Sequence, residues 1–327
     1  MKTHKLFLFF TLLLGFQNLS YAEIDNESFI STNEVALENS AELTDKQLSE
    51  LEFKITENIQ INPYSNYDFY LLAKTYLIQL DRNPANMNKI HATSEISQHL
   101  LDLDPNSEYG YIVSAQVMRV MGYDESAKQL ILETMSEKYK TGWRSYLFLA
   151  EQEPLASAEQ REYIKKALSF KSVSKKVYQI QVSLLIHDGK LDEAMRLADK
   201  VNDPLIHISV ANKFREDSYS KAEKYYLKYY KAYSKNPNFL LSYYSFKSET
   251  NKFNRLDANK LEKLTLQNSQ KIEAYKLIGK FYLGRSKEKA NEYYSKAMEI
   301  SESPVKDIYE IKREYISKNS IDRKSVV

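Results

Sequence analysis

The sequence predicts an all-α protein assembled from repeated antiparallel helical hairpins, and three observations predict it. Only 7 Gly and 7 Pro occur in 327 residues, too few turn residues for many short strands and enough for helices joined by brief loops. Apolar residues recur at helical spacing behind capping signals. A pattern of proline, serine, aromatic and alanine also returns after 42 residues. The 26 Tyr, against 14 Phe and 1 Trp, fit the same reading, because a tyrosine ring fills gaps between helices while its hydroxyl reaches water.

Taken in order, residues 1–22 read as a secretory leader. Lys2, His4 and Lys5 give a basic start, Leu6–Phe16 is an apolar run, and Ser20 and Ala22 place small residues at a cut before Glu23. The run is short of the roughly 20 apolar residues that span a bilayer, so cleavage after Ala22 with no remaining membrane span is expected. The chain has no cysteine. An exported chain without disulfides suits a bacterial periplasm, and a periplasmic or secreted location is expected.

Residues 23–43 are acidic (Asp25, Glu27, Glu34, Glu38, Glu42) and weakly patterned, and read as a flexible segment. The first helix begins at Thr44, which forms a capping box with Gln47; Leu48, Leu51, Ile55 and Ile59 follow at helical spacing, and Pro63 ends it. Pro63, Ser65, Tyr67, Phe69 and Ala73 are then echoed by Pro105, Ser107, Tyr109, Tyr111 and Ala115. In each copy an aromatic precedes a small residue by four positions, which places both on one helix face where a neighbouring helix can approach closely. Extra residues are expected between the helices of the first copy, at Asp81–Asn88.

Tyr111, Ala115, Met118, Gly122, Ala127 and Ile131 resemble the tetratricopeptide repeat. Tyr178, Val182, Leu185, Gly189 and Ala194 follow the same template, as do Tyr275, Ile278, Gly279, Tyr282, Ala290, Tyr294 and Ala297, closed by Pro304. Weaker copies surround Ala150 with Ala167, and Ala211 with Ala222 and Tyr226, and a poorly matched hairpin is expected between Asn236 and Gln270. The resemblance implies a right-handed superhelical solenoid over residues 44–304, with a concave groove lined by the first helix of each hairpin. Ile308, Ile311 and Tyr315 share one face, so residues 305–327 read as a capping helix and tail.

Several chemistries are excluded by what the chain does not contain. Of the mature histidines (His91, His99, His187 and His207), no pair has the spacing of a helical zinc motif, and thiolate sites need cysteine. There is no glycine-rich phosphate loop and no nucleophile elbow. No catalytic residue, metal ligand or cofactor is therefore expected, and the chain reads as not an enzyme. Removing Lys2 and Lys5 from the 46 basic residues leaves 44, against 44 acidic ones. That neutrality offers no electrostatic case for nucleic acid, which is not expected as a partner.

Lys221, Lys224, Lys228, Lys231 and Lys235 form one helical stripe, flanked by Tyr225 and Tyr230. Ala222, Tyr226, Tyr229 and Tyr233 form another on nearly the opposite side, the pattern of an ordinary amphipathic helix with solvated lysines. Carrying the groove positions over from the resemblance gives Tyr67, Tyr70, Lys74, Tyr109, Gln116, Arg119, Arg144, Gln179, His187, Arg215, Lys276 and Lys280. Aromatics, amides and cations together suit an extended peptide, a carboxylate or an acidic sugar chain. The expected function is a non-enzymatic scaffold in the cell envelope that binds a protein segment in this groove, serving polysaccharide export or surface-structure assembly. A periplasmic module binding an anionic glycan, and an enzyme with an unrecognised site, stand as alternatives.

Overall fold

The computed structural model describes residues 32–301, apart from 39, 41, 42, 136, 265 and 267. The expected leader (1–22) and the capping helix and tail (305–327) lie outside the described residues.

Sixteen helices occur among the described residues. A short α1 (Thr32–Glu38) and a longer α2 (Asp45–Ile61) precede seven hairpins. These are α3 (Asn66–Arg82) with α4 (Met87–Leu103), α5 (Glu108–Val120) with α6 (Asp124–Thr134), and α7 (Trp143–Gln152) with α8 (Ala158–Ala167). They continue as α9 (Lys175–His187) with α10 (Leu191–Val201), α11 (Pro204–Asp217) with α12 (Tyr219–Tyr230), α13 (Pro237–Glu249) with α14 (Arg255–Glu262), and α15 (Asn268–Tyr282) with α16 (Lys287–Glu299). The architecture is an all-α solenoid of hairpins packed in adjacent pairs, of the tetratricopeptide-like kind. Among the described residues no helix is long and apolar enough to cross a membrane.

Local signals explain the boundaries. Thr44 and Gln47 form the expected capping box, with Gln47 Oε1 accepting from the Thr44 backbone N–H at 2.9 Å. Ser65 and Ser107, the equivalent serines of the 42-residue echo, both cap first helices. Gly122 (φ +84°) and Gly189 (φ +72°) turn the chain between helices in the left-handed region, which suits a residue without a Cβ. The residues Asp81–Asn88 differ from expectation. Asp81 and Arg82 extend α3, Met87 and Asn88 open α4, and Asn86 caps that second helix. The extra residues lengthen two helices rather than a loop.

The template's small residues are where helices meet: Ala73, Ala115, Ala150, Ala167, Ala194, Ala211, Ala222 and Ala290 are all fully buried. At Gly279 a Cβ would come within 2.7 Å of the Tyr294 ring. Each hairpin leaves an apolar face that only its neighbour covers, so stacking builds the core. The core gathers into an N-terminal cluster around Leu71, Val113 and Phe148, a middle one around Trp143 and Val177, and a C-terminal one around Tyr226, Phe239 and Tyr244.

The stripe's lysines are solvated as read, though α12 ends before the last two: Lys221, Lys224 and Lys228 on α12, and Lys231 and Lys235 beyond it, are all exposed. Tyr225 is not beside it. It is 4% exposed and its hydroxyl lies 2.8 Å from His207 Nδ1 on α11, because α12 packs over a wider arc than one apolar stripe.

Candidate carboxylate-binding site on the first-helix face

Three first helices bring aromatic and cationic side chains to one place. Tyr67, Tyr70 and Lys74 lie on α3 at helical spacing, Tyr109 opens α5, and Trp143 and Arg144 open α7. Tyr70 and Tyr109 stack with centroids 4.7 Å apart, and Tyr67 lies 6.0 Å from Tyr109. The Arg144 guanidinium sits against this group, 4.3 Å from the Trp143 ring, 5.2 Å from Tyr109 and 5.3 Å from Tyr70. A weakly hydrated, planar cation stacks on ring faces at low cost, which is why arginine rather than lysine occupies such a box.

The box holds a carboxylate. Glu34, from α1, accepts from Arg144 Nη2 at 2.7 Å and from Arg144 Nε at 3.4 Å. It also accepts from the Tyr67 hydroxyl at 2.6 Å and from Lys74 Nζ at 3.3 Å. The Glu34 side chain is 0% exposed and that of Arg144 2%. Burial pushes the Glu34 carboxyl upward, but the Lys74 and Arg144 charges, with the hydrogen bonds from Arg144 and Tyr67, outweigh it and hold its pKa below the usual carboxylate range.

Two further residues of α1 complete the seat. Leu37 is 1% exposed and belongs to the N-terminal core cluster, and Glu38 Oε2 accepts from the backbone N–H of Lys175, the first residue of α9, at 3.4 Å. An unsatisfied amide at a helix start favours a negative partner. The short helix thus bridges α3, α7 and α9.

A second carboxylate braces the box from behind. Glu108 Oε2 accepts from Gly142 N at 3.1 Å, Ser145 N at 3.2 Å and Ser145 Oγ at 2.9 Å. Gly142 is the N-cap residue of α7 and has no side chain to cap with, so Glu108 supplies that function from α5. A Cβ at Gly142 would lie 2.3 Å from Glu108 Oε1, so the close approach requires glycine. Burial raises the Glu108 pKa, and Arg144 and the Ser145 and Gly142 donors oppose it only in part.

The box continues into open space. A cleft of about 50 Å³ is lined by Tyr70, Lys74, Gln116, Arg144, Trp143 and Lys176, among others, and a larger one of about 350 Å³ by Leu77, Asp81, Gln116 and Arg119, among others. Gln116 belongs to both. Among the described residues Trp143 Nε1, Arg144 Nη1 and Gln116 Oε1 have no hydrogen-bond partner. The arrangement is built to hold an anion by fixed, charge-assisted hydrogen bonds.

Of the twelve residues read as groove candidates, five (Tyr67, Tyr70, Lys74, Tyr109 and Arg144) meet around Glu34, and Gln116 and Arg119 line the adjoining clefts. Tyr70, Tyr109 and Arg144 are buried beneath α1 rather than open to solvent. The other five lie apart. Gln179 donates to Asp203 at 3.3 Å, a residue that also caps α11. His187 is exposed at the end of α9 beside Asp188, Arg215 pairs with Glu249, and Lys276 pairs with Glu273. Lys280 lies on α15, remote in sequence from the box. Glu34, Leu37, Glu108 and Trp143 were not legible as site residues. Glu34 and Leu37 lie in a segment without sustained periodicity, and Glu108 and Trp143 read as ordinary helix starts.

No family model matches the chain, and no curated protein is similar to it in sequence. Solved structures are similar in their helical arrangement. A human IFIT1 dimer with PPP-AAAA is 13% identical, covering 91% of this chain and 66% of that one with a TM-score of 0.48. A monomeric IFIT1 mutant with Gppp-AAAA is 14% identical, covering 86% of this chain and 61% of that one with a TM-score of 0.49. The chain thus spans less than two thirds of the length of these proteins. The expectation that nucleic acid is no partner is corrected by them, since IFIT1 is solved with PPP-AAAA, Gppp-AAAA and m7Gppp-AAAA. The physical reason is that a chain's overall neutrality does not set the charge of any one of its faces.

Proposed function

We propose that this chain is a non-enzymatic scaffold that holds a segment of a partner protein along the first helices of its N-terminal hairpins. The observation that carries the reading is the seating of Glu34 in the box of Arg144, Lys74 and Tyr67. A face that binds a short helix of its own chain by two carboxylates and a leucine has the chemistry to bind a segment supplied by another protein. The leader read at residues 1–22 and the absence of cysteine support an envelope setting, with polysaccharide export or surface-structure assembly as the process served.

Selection from a peptide display library on the full chain tests this, with a parallel selection on a Gln116→Ala, Lys176→Glu variant. Both residues line the clefts and neither touches Glu34. Peptides enriched by the wild type and lost with the variant support the reading. Equal enrichment on both, or no enrichment alongside saturable binding of an oligonucleotide or an anionic polysaccharide, overturns it.

A further inference from the structure

Helix α1 has only seven residues, and helices below about 12 residues are marginal in water without tertiary support. Its order therefore comes from its seat. It presents Glu34, Leu37 and Glu38 to that seat at positions i, i+3 and i+4, while Val35 is 36% exposed. Each of the three has its own receptor: the arginine box, the apolar cluster, and the first amide of α9. The segment has the anchor spacing of a helix laid into a groove.

The seat is larger than its occupant. The two clefts that share Gln116 adjoin the box, and Trp143 Nε1 and Gln116 Oε1 are buried there without a hydrogen-bond partner. Leaving such groups unpaired in the buried state is costly. A ligand that reaches them makes contacts α1 does not make. That surplus matters, because a tethered segment competes at an effective concentration on the order of millimolar.

Resting on the scaffold reading above, we infer that α1 is a displaceable stand-in for the true ligand. The ligand is an acidic amphipathic helix of a partner protein, with Glu, a bulky aliphatic and a second acidic residue at i, i+3 and i+4. It displaces α1 by also reaching the Gln116 clefts. Residues 39–44 join α1 to α2 in sequence, so a displaced α1 stays tethered to the chain. An acidic helix is favoured over other partners because both polar receptors of the seat hold carboxylates of a helical segment.

The test uses the absence of native cysteine. In a full-length Glu38→Cys, Lys175→Cys chain, a short cleavable thiol crosslinker replaces the Glu38 contact and locks α1 in its seat, while the Glu34 and Leu37 anchors are untouched; locked and released forms are compared in this same chain. A fluorescent peptide of residues 30–41 is titrated into the locked and released forms, with a second peptide carrying Glu34→Gln and a third carrying Leu37→Ala. The released form is expected to bind the first peptide at least about tenfold more tightly than the locked form, a difference of about 1.4 kcal/mol. Each altered peptide is expected to lose about tenfold or more. Equal binding by locked and released chains, equal binding of the Glu34→Gln peptide, or a peptide-free dimer formed by exchanged α1 segments overturns the inference. If no peptide binds the released chain while display selection still yields Gln116-dependent ligands, the stand-in idea fails and the scaffold reading survives.

Discussion

Arg144 Nη2 lies 2.7 Å from Glu34 Oε2, a pairing of residues 110 positions apart that joins the start of the described chain to its third hairpin. Both partners are desolvated, and such a pair offsets its own hydration cost only with good geometry and further hydrogen bonds. Tyr67 and Lys74 supply those bonds to Glu34, and the aromatic rings shield the guanidinium. The pair therefore acts more as a registration device than as a source of net stability: α1 fits in one position because one carboxylate must meet one arginine.

Removal of one member should be costly. Arg144→Met leaves Glu34 its Lys74 contact but not the guanidinium, and deprives Glu108 of the Arg144 cation 3.8 Å away. A loss of about 3–5 kcal/mol is expected in urea unfolding. Glu34→Gln should cost less, since the amide oxygen still accepts from Arg144. The Glu34→Gln, Arg144→Met double variant should be more stable than Arg144→Met alone. Strict additivity in that cycle would mean that the two groups do not interact.

Acid should release α1, and the sign follows from Glu34. Its folded pKa is depressed, so its contribution is present above the ordinary carboxylate value of about 4.3 and is lost as the pH falls through the lower folded value. Glu108 acts oppositely. Its raised pKa means that it is relieved as the pH falls toward the ordinary range. Burial raises the Tyr70 and Tyr109 hydroxyls that face Glu34, so both keep their protons throughout this window. Hydrogen exchange should find the Leu37 amide protected throughout and above the ordinary carboxylate range and progressively exposed as the pH falls below it. Loss of protection at about pH 6, or on raising the pH to about 8, would contradict the assignment.

Gly142→Ala should destabilise the chain by about 1–3 kcal/mol, the usual result of overpacking a tight contact. The added methyl would occupy the place of Glu108 Oε1 and Cδ, at 2.3 and 2.7 Å. Displacing that carboxylate also uncaps α7, whose first residues are Trp143 and Arg144. The readout that separates this from a generic core defect is weaker peptide binding at a temperature where the variant remains folded. Unchanged stability would show that Glu108 does not cap α7.

The hairpins were legible because they repeat. Ala73 and Ala115 announced themselves by a shared interval, and every small alanine the template demanded is buried. The box was half legible. Tyr67, Tyr70, Lys74, Tyr109 and Arg144 were grouped by the expectation that a solenoid turns its first helices to one side, and the structure places them around Glu34 with Tyr70, Tyr109 and Arg144 buried rather than in an open groove. Glu34 escaped because its partner is 110 residues away and α1 makes fewer than three helical turns. Glu108 escaped for a related reason: capping of one helix by a side chain from another leaves no local motif. Periodicity records what a helix buries against its neighbours, not what lies across several helices at once.

The lysine stripe supplies the last prediction, because it is the strongest rival surface. Lys228 lies within 3.5 Å of Asp199, while Lys221, Lys224, Lys231 and Lys235 are exposed on the second helix of a hairpin or just beyond it. Exposed charges on such a helix contribute little to stability, and single substitutions away from special features change it by about 0.5 kcal/mol at most. A chain with these four lysines changed to alanine should unfold within about 2 kcal/mol of the wild type and bind the same display-selected peptides with unaltered affinity. Its net charge falls by four, so any long-range steering of an acidic ligand should weaken as a slower association rate at low salt, with the dissociation rate unchanged. A faster dissociation rate would place bound ligand on α12 and move the binding site away from Arg144.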